Sequence, residues 1–150
     1  MSRLNFPNDL DKMKEDIKNR YSKDSIIISI SNATCSRARG SLKIVKAFKD
    51  EEEKLRKHNI ALKITGCHGF CAAEPNVLIN PKGIFYQHLK PEDVPVIIEK
   101  TISGEIAKEF LFNDPVSGKK FQTLEEIPFY KKQLRLLLNS NLIILSLIHI

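Results

Sequence analysis

The sequence predicts an α/β fold, a small mixed β-sheet of about four strands with helices on both faces, from three observations. A β-branched run, Ile26-Ile27-Ile28-Ser29-Ile30, is followed by an amphipathic helical stretch and then by a second strand-like run, Ile60-Ala61-Leu62-Lys63-Ile64. That order is a crossover between parallel strands. Two further apolar runs, Val77-Leu78-Ile79 and Ile84-Phe85-Tyr86, are joined by Asn80-Pro81-Lys82-Gly83, a turn sequence that predicts an antiparallel hairpin.

The chain is long enough to need no covalent staples. Its 150 residues, 42% hydrophobic and 28% charged, match one ordinary globular domain with an appended segment. Three cysteines, an odd number, make no closed disulfide framework, and no apolar signal core opens the sequence, so a cytoplasmic location is expected. The net charge of +6 is spread among acids, as on solvated helix faces. With no Trp and no aromatic residues alternating with Arg or Lys, nothing predicts nucleic-acid binding.

Element by element, Leu10, Met13, Ile17 and Tyr21 recur at helical spacing over residues 8–22, with Asn8 or Asp9 as N-cap, and predict an amphipathic helix. The first strand runs into a polar turn, residues 31–36. From about Gly40 a second helix places Leu42, Val45, Phe48 and Leu55 on one face and the acids from Asp50 to Glu53 on the other. The second strand runs into Thr65-Gly66-Cys67-His68-Gly69-Phe70-Cys71, where Gly66 and Gly69 are expected to permit positive φ. After the hairpin, Pro91 opens a third helix containing Val94, Ile97, Ile98 and Ile102, with Pro95 confined to its first turn.

Beyond Gly104 the pattern changes to an extended connector, then a helix at about 128–138. Residues 141–150 are Leu- and Ile-rich and carry no Lys, Arg, Asp or Glu, but fall short of the ~20 apolar residues of a membrane span. Such an end either packs on the domain or marks an artificial stop. The expected organisation is an N-terminal helix over 1–24, a folded domain over 25–104, and a connector with apolar tail over 105–150.

Helix, strand, helix, strand, cysteine loop, hairpin, helix is the thioredoxin-like arrangement. The loops that end its two parallel strands lie side by side, which brings Cys35 toward Cys67 and Cys71. Two thiolates four positions apart on a glycine-containing loop can turn inward on one iron, and the spacing favours metal over a redox dithiol, which would place Cys-x-x-Cys after the first strand. His68, between the two cysteines, is expected to direct its ring to solvent. His58, His88 and His149 are read as surface or packing residues, Phe70 and Phe85 as core.

Residues 31–41 (Ser-Asn-Ala-Thr-Cys-Ser-Arg-Ala-Arg-Gly-Ser), the Thr-Gly-Cys-His-Gly-Phe-Cys-Ala-Ala-Glu-Pro loop of 65–75 and residues 83–95 resemble the N-terminal thioredoxin-like [2Fe-2S] ferredoxin domain of certain NADH-binding flavoprotein subunits. These belong to complex I-type NADH dehydrogenases and to NAD-linked, including electron-bifurcating, hydrogenases. The resemblance covers about residues 25–138, and residues 114–118 and 127–133 resemble the connector that enters the flavin domain. It implies a [2Fe-2S] cluster acting as a one-electron relay and, as partners, the other redox subunits of an NADH dehydrogenase or hydrogenase complex.

The family pattern carries two cysteines in the first loop, and they fall on Ser31 and Ser36, with Cys35 next to the second. The implied metal ligands are therefore Cys35, Cys67 and Cys71 with Ser36; Ser31, His68 or a partner residue are the other sources of a fourth. The chain has no glycine-rich flavin or nucleotide loop, so by itself it is not expected to oxidise NADH. Three further readings remain at this point: a domain that keeps the fold without the cluster, a docking module for partner redox subunits, and a thiol switch using Cys67 and Cys71.

Overall fold

The computed structural model describes residues 6–20, 25–136 and 139–142. In chain order these form α1 (Pro7–Arg20), β1 (Ile26–Ser31), α2 (Thr34–Ala38), α3 (Ser41–Asp50), α4 (Glu52–Lys57), β2 (Ile60–Thr65), β3 (Val77–Asn80), β4 (Ile84–Tyr86), α5 (Val94–Ser103), β5 (Phe112–Asn113), β6 (Lys120–Phe121) and α6 (Pro128–Lys131). Short 3-10 turns lie between several of them.

Four strands form a sheet in the order β2-β1-β3-β4. β1 pairs parallel with β2, Ile26 opposite Ile60 through Ser31 opposite Thr65, and antiparallel with β3. The predicted hairpin closes β3 on β4, Leu78 opposite Phe85. Because side chains alternate along a strand, this register sorts the sheet into two faces. Ile28, Ile30, Ile60, Val77, Ile79, Ile84 and Tyr86 share the first and join Ile44, Val45 and Phe48 of α3 with Val94, Ile97 and Ile98 of α5 in the main core. Leu78 and Phe85 point to the second face and pack with Phe70, Ala73, Phe112, Ile127 and Tyr130. Helical cover on that side comes from α6 and the 3-10 turn Leu124–Glu126 before it.

Several elements differ from the sequence reading. The polar turn after β1 is the short helix α2, in which the Arg37 amide donates to the Ala33 carbonyl at 2.9 Å. The second helix divides at Glu51 into α3 and α4, although Leu55 of α4 is still fully buried. Its core-facing positions are Ser41, Ile44, Val45 and Phe48, and Leu42 is exposed. The reason is that the Ser41 hydroxyl donates to Asn32 Oδ1 at 2.9 Å, so a polar side chain with a partner takes the inward position. Of the apolar stripe on α1, Leu10 and Met13 are exposed, since other elements cover both faces of the sheet; Tyr21 lies outside the described residues.

The helix expected over 128–138 is only the four-residue α6, and Leu134 and Leu136 beyond it are exposed. Leu111 joins the main core, whereas Phe112, Phe121, Leu124, Ile127 and Tyr130 pack on the second face, the segment being held partly by a bridge from Thr123 to Ile84 and partly by β5 pairing with β6. The apolar tail from residue 143 onward lies outside the described residues. Among those described, no helix is long and apolar enough to cross a membrane.

α5 ends at Gly104, whose φ of +76° lies in the left-handed region. A Cβ there meets no neighbour within 4 Å, so a Gly104→Ala change adds backbone strain and nothing else. The expected loss is about 1 kcal/mol, read as a lower urea midpoint with an unchanged slope.

Candidate metal centre

The site grows from the carboxyl ends of β1 and β2. Ser31 and Thr65 stand opposite one another, and the Asn32 amide donates to the Thr65 carbonyl at 3.1 Å, so both following loops leave from one edge. Cys35 lies in the first turn of α2 and Cys71 opens the 3-10 turn Cys71–Ala73. Cys35 and Cys67 lie close enough to Cys71 for both to act on its thiol, which groups three thiols from two loops. Cys35 and Cys71 are exposed and Cys67 is half-buried.

Gly69 adopts φ +82° and turns its amide onto Cys67 Sγ at 3.2 Å, whereas Gly66 is not among the left-handed glycines. Burial and the neighbouring Cys35 and Cys67 push the Cys71 thiol up to about 11. Three thiolates crowd one another unless a cation joins them. Among the described residues no three His, Cys, Asp or Glu side chains form a cage around a single ion. A two-iron cluster does not need one, because it divides its ligands between two metals.

Ser36 is fully buried. Its hydroxyl, the Ser31 hydroxyl and Oε1 of Glu74 are mutually 2.6 to 2.8 Å apart. Three such contacts need three protons, and two hydroxyls supply only two; the ring closes when Glu74 carries the third. Desolvation, which raises the Glu74 pKa above the usual 4.5 against the pull of Ser31 and Ser36, acts in the same direction. Oε2 of Glu74 accepts from the Asn76 amide at 3.1 Å.

His68 does not face solvent. Its ring is fully buried, with Nδ1 2.7 Å from Asn76 Oδ1 and Nε2 2.7 Å from Thr65 Oγ1. An amide oxygen only accepts, so Nδ1 carries the proton, and the single Thr65 hydroxyl hydrogen is shared between Nε2 and the Ile30 carbonyl 3.2 Å away. Burial lowers the His68 pKa from 6.5 to about 4, with the Arg135 charge adding to the effect, and the ring is neutral near pH 7. Both ring nitrogens are thus committed to structural partners. His58 and His88 are exposed, as expected, and His149 lies outside the described residues.

The loop is also held from the second face. Phe70 stacks on Phe129 at 4.3 Å between ring centroids, and Tyr130 and Arg135 each donate a hydrogen bond of 2.8 Å to the His68 carbonyl. Phe70 and Phe85 are core residues, as the sequence reading has them. Glu74, Asn76, Tyr130 and Arg135 are contributors that sequence reasoning passed over. Glu74, a carboxylate within an otherwise apolar stretch beside Cys71, is the one residue of these with a local signal.

Residues 17–102 match the family model for thioredoxin-like [2Fe-2S] ferredoxin. A 2Fe-2S ferredoxin of Clostridium pasteurianum is 32% identical over 73 residues, covering 47% of this chain and 72% of the relative. One from Aquifex aeolicus is 35% identical over 68 residues, covering 44% of this chain and 61% of the relative. The crystal structure of the wild-type thioredoxin-like [2Fe-2S] ferredoxin from Aquifex aeolicus superposes with a TM-score of 0.53 at 24% identity, over 60% of this chain and 98% of that one. At that identity the superposition shows the thioredoxin-like fold.

Proposed function

This chain belongs to the thioredoxin-like [2Fe-2S] ferredoxin family, and from that premise we propose that it is an electron-transfer domain whose cluster is held by Cys35, Cys67, Cys71 and an oxygen of Ser36. The observation that carries the reading is the meeting of three thiols from two loops at one end of the sheet. Their chemistry fits three of the four protein ligands such a cluster takes. The fourth position is the buried hydroxyl next to Cys35 in sequence, which must exchange its hydrogen bond to Glu74 for iron. An oxygen donor is harder and binds iron-sulfur iron less well than a thiolate.

When bound, the cluster supplies one-electron redox chemistry. The protein's part is to hold and tune it. Gly69 presents its amide to the Cys67 sulfur, and the Phe70 side of the loop is closed by stacked aromatic rings that keep water away. Two of the three cysteines are exposed residues, which leaves one side open to an electron partner. The proposed partners are redox subunits of an NADH dehydrogenase or hydrogenase complex, and the proposed location is the cytoplasm. The larger flavoprotein context rests on the resemblance of residues 114–118 and 127–133 to the connector of those subunits.

Anaerobic iron-sulfur reconstitution followed by EPR of the dithionite-reduced protein tests the reading. The expected result is a [2Fe-2S] signal with iron well below two per chain, as a weak oxygen ligand implies, lost in Cys67→Ser while the circular dichroism of the fold is kept. A folded wild-type chain that takes up no iron overturns it.

A further inference from the structure

Residues 128–135 lie outside the part of the chain that matches the ferredoxin family model, which ends at residue 102. Yet they reach the centre of the cysteine loop. The Tyr130 hydroxyl and an Arg135 guanidinium nitrogen both donate to the carbonyl of His68, the residue between Cys67 and Gly69, each at 2.8 Å. Arg135 lies over the Tyr130 ring, 4.9 Å from its centroid, so the two donors brace one another. Phe129 stacks on Phe70, and Tyr130 meets Phe70 edge-on at 5.6 Å. The His68 ring is itself anchored by Thr65 and Asn76.

We propose that residues 128–135 form a clamp in which Tyr130 and Arg135 are positioning residues, setting the geometry and electrostatics of the Cys67–Cys71 loop through the His68 carbonyl. The helix stops at Lys131, and that early stop lets the chain bring Arg135 back over Tyr130. A carbonyl that accepts two donors, one of them charged, is held in a single orientation. The two amides that follow it then keep their aim, including Gly69 N–H on Cys67 Sγ. The Arg135 guanidinium, 2.8 Å from the carbonyl of the residue after Cys67, sets a positive charge beside the thiol site.

The electrostatic part of the inference rests on the cluster reading; the positioning part does not, and the experiment separates them. Hydrogen exchange of the amides of residues 67–71 is measured on the iron-free full chain for wild type, Tyr130→Phe, Arg135→Leu and Arg135→Lys. Tyr130→Phe removes one hydroxyl and keeps the aromatic stack, so the fold persists. The expected result is exchange about tenfold faster in this loop for Tyr130→Phe and Arg135→Leu, partial rescue by Arg135→Lys, and unchanged exchange in β1 and β3. Loop exchange within a factor of two of wild type in both variants overturns the clamp. In the reconstituted protein, losing a positive charge disfavours the added electron, so Arg135→Leu lowers the reduction potential while Arg135→Lys leaves it close to wild type. A tenfold change in the reduction equilibrium corresponds to about 59 mV for one electron. An unshifted potential in Arg135→Leu overturns the electrostatic part, and a chain that takes up no iron overturns the cluster reading and leaves the exchange result to decide the clamp.

Discussion

Ser36→Cys is expected to raise the iron content of the reconstituted protein several-fold toward about two per chain and to lengthen the cluster's lifetime in air. The change replaces the proposed oxygen donor by a soft thiolate, next in sequence to Cys35. It costs something in the metal-free chain, because Ser36 belongs to a buried ring with Ser31 and Glu74. A sulfur fills that place less well, and about 1–2 kcal/mol of stability is lost. The two effects oppose each other only without metal, since bound cluster stabilises the folded state by mass action. Iron-to-protein ratio, the EPR spin count of the reduced sample and its decay in air read the outcome. A Ser36→Cys protein that folds and holds no more iron than wild type removes Ser36 from the ligand set and leaves the fourth ligand to another residue or to a partner.

The second large effect is acid lability set by His68. Burial holds its pKa at about 4 in the folded chain against 6.5 for an exposed imidazole. Above pH 6.5 both states leave the ring neutral, and the full stability is present. As the pH falls below 6.5, the unfolded chain takes up a proton that the folded chain refuses until about 4. Stability therefore declines through that window, by about 2 kcal/mol between pH 7 and pH 5 and roughly 3 kcal/mol in full.

Glu74 acts with the opposite sign. Its pKa is raised above 4.5, so its contribution is complete below that value and is lost as the pH climbs through the folded pKa. Comparing iron-free wild type with His68→Gln at each pH cancels the Glu74 contribution, which both proteins share. Urea midpoints that fall between pH 7 and pH 5 in wild type, and much less in His68→Gln, are the expected result. Parallel slopes with pH in the two proteins would remove His68 as the cause.

How much could be read without coordinates follows from the range of each interaction. The strands were legible because their signal is local: Ile26 to Ile30, Ile60 to Ile64, and two short runs around Asn80-Pro81-Lys82-Gly83 need only alternation and a turn. Cys35, Cys67 and Cys71 were legible as a group because a parallel pair of strands forces its two following loops to one end. His68 misled, since its place between two cysteines says nothing of Asn76 and Thr65, which together make burial of the ring tolerable. Leu42 misled similarly: a periodic stripe does not reveal that Ser41 will find Asn32 and turn inward.

By itself, then, the sequence determined the mixed sheet, the crossover that carries the first cysteine loop to the second, and the count of three thiols. Tertiary structure alone decided what surrounds them. The Ser31–Ser36–Glu74 ring joins residues up to 43 apart, and the contacts from Tyr130 and Arg135 to the His68 carbonyl span 62 and 67 positions. Hydrogen bonds between residues so distant leave no periodic trace in a chain, because each depends on where the completed core places two backbones. The core itself needs only apolar residues at the right intervals, and those are written along the sequence.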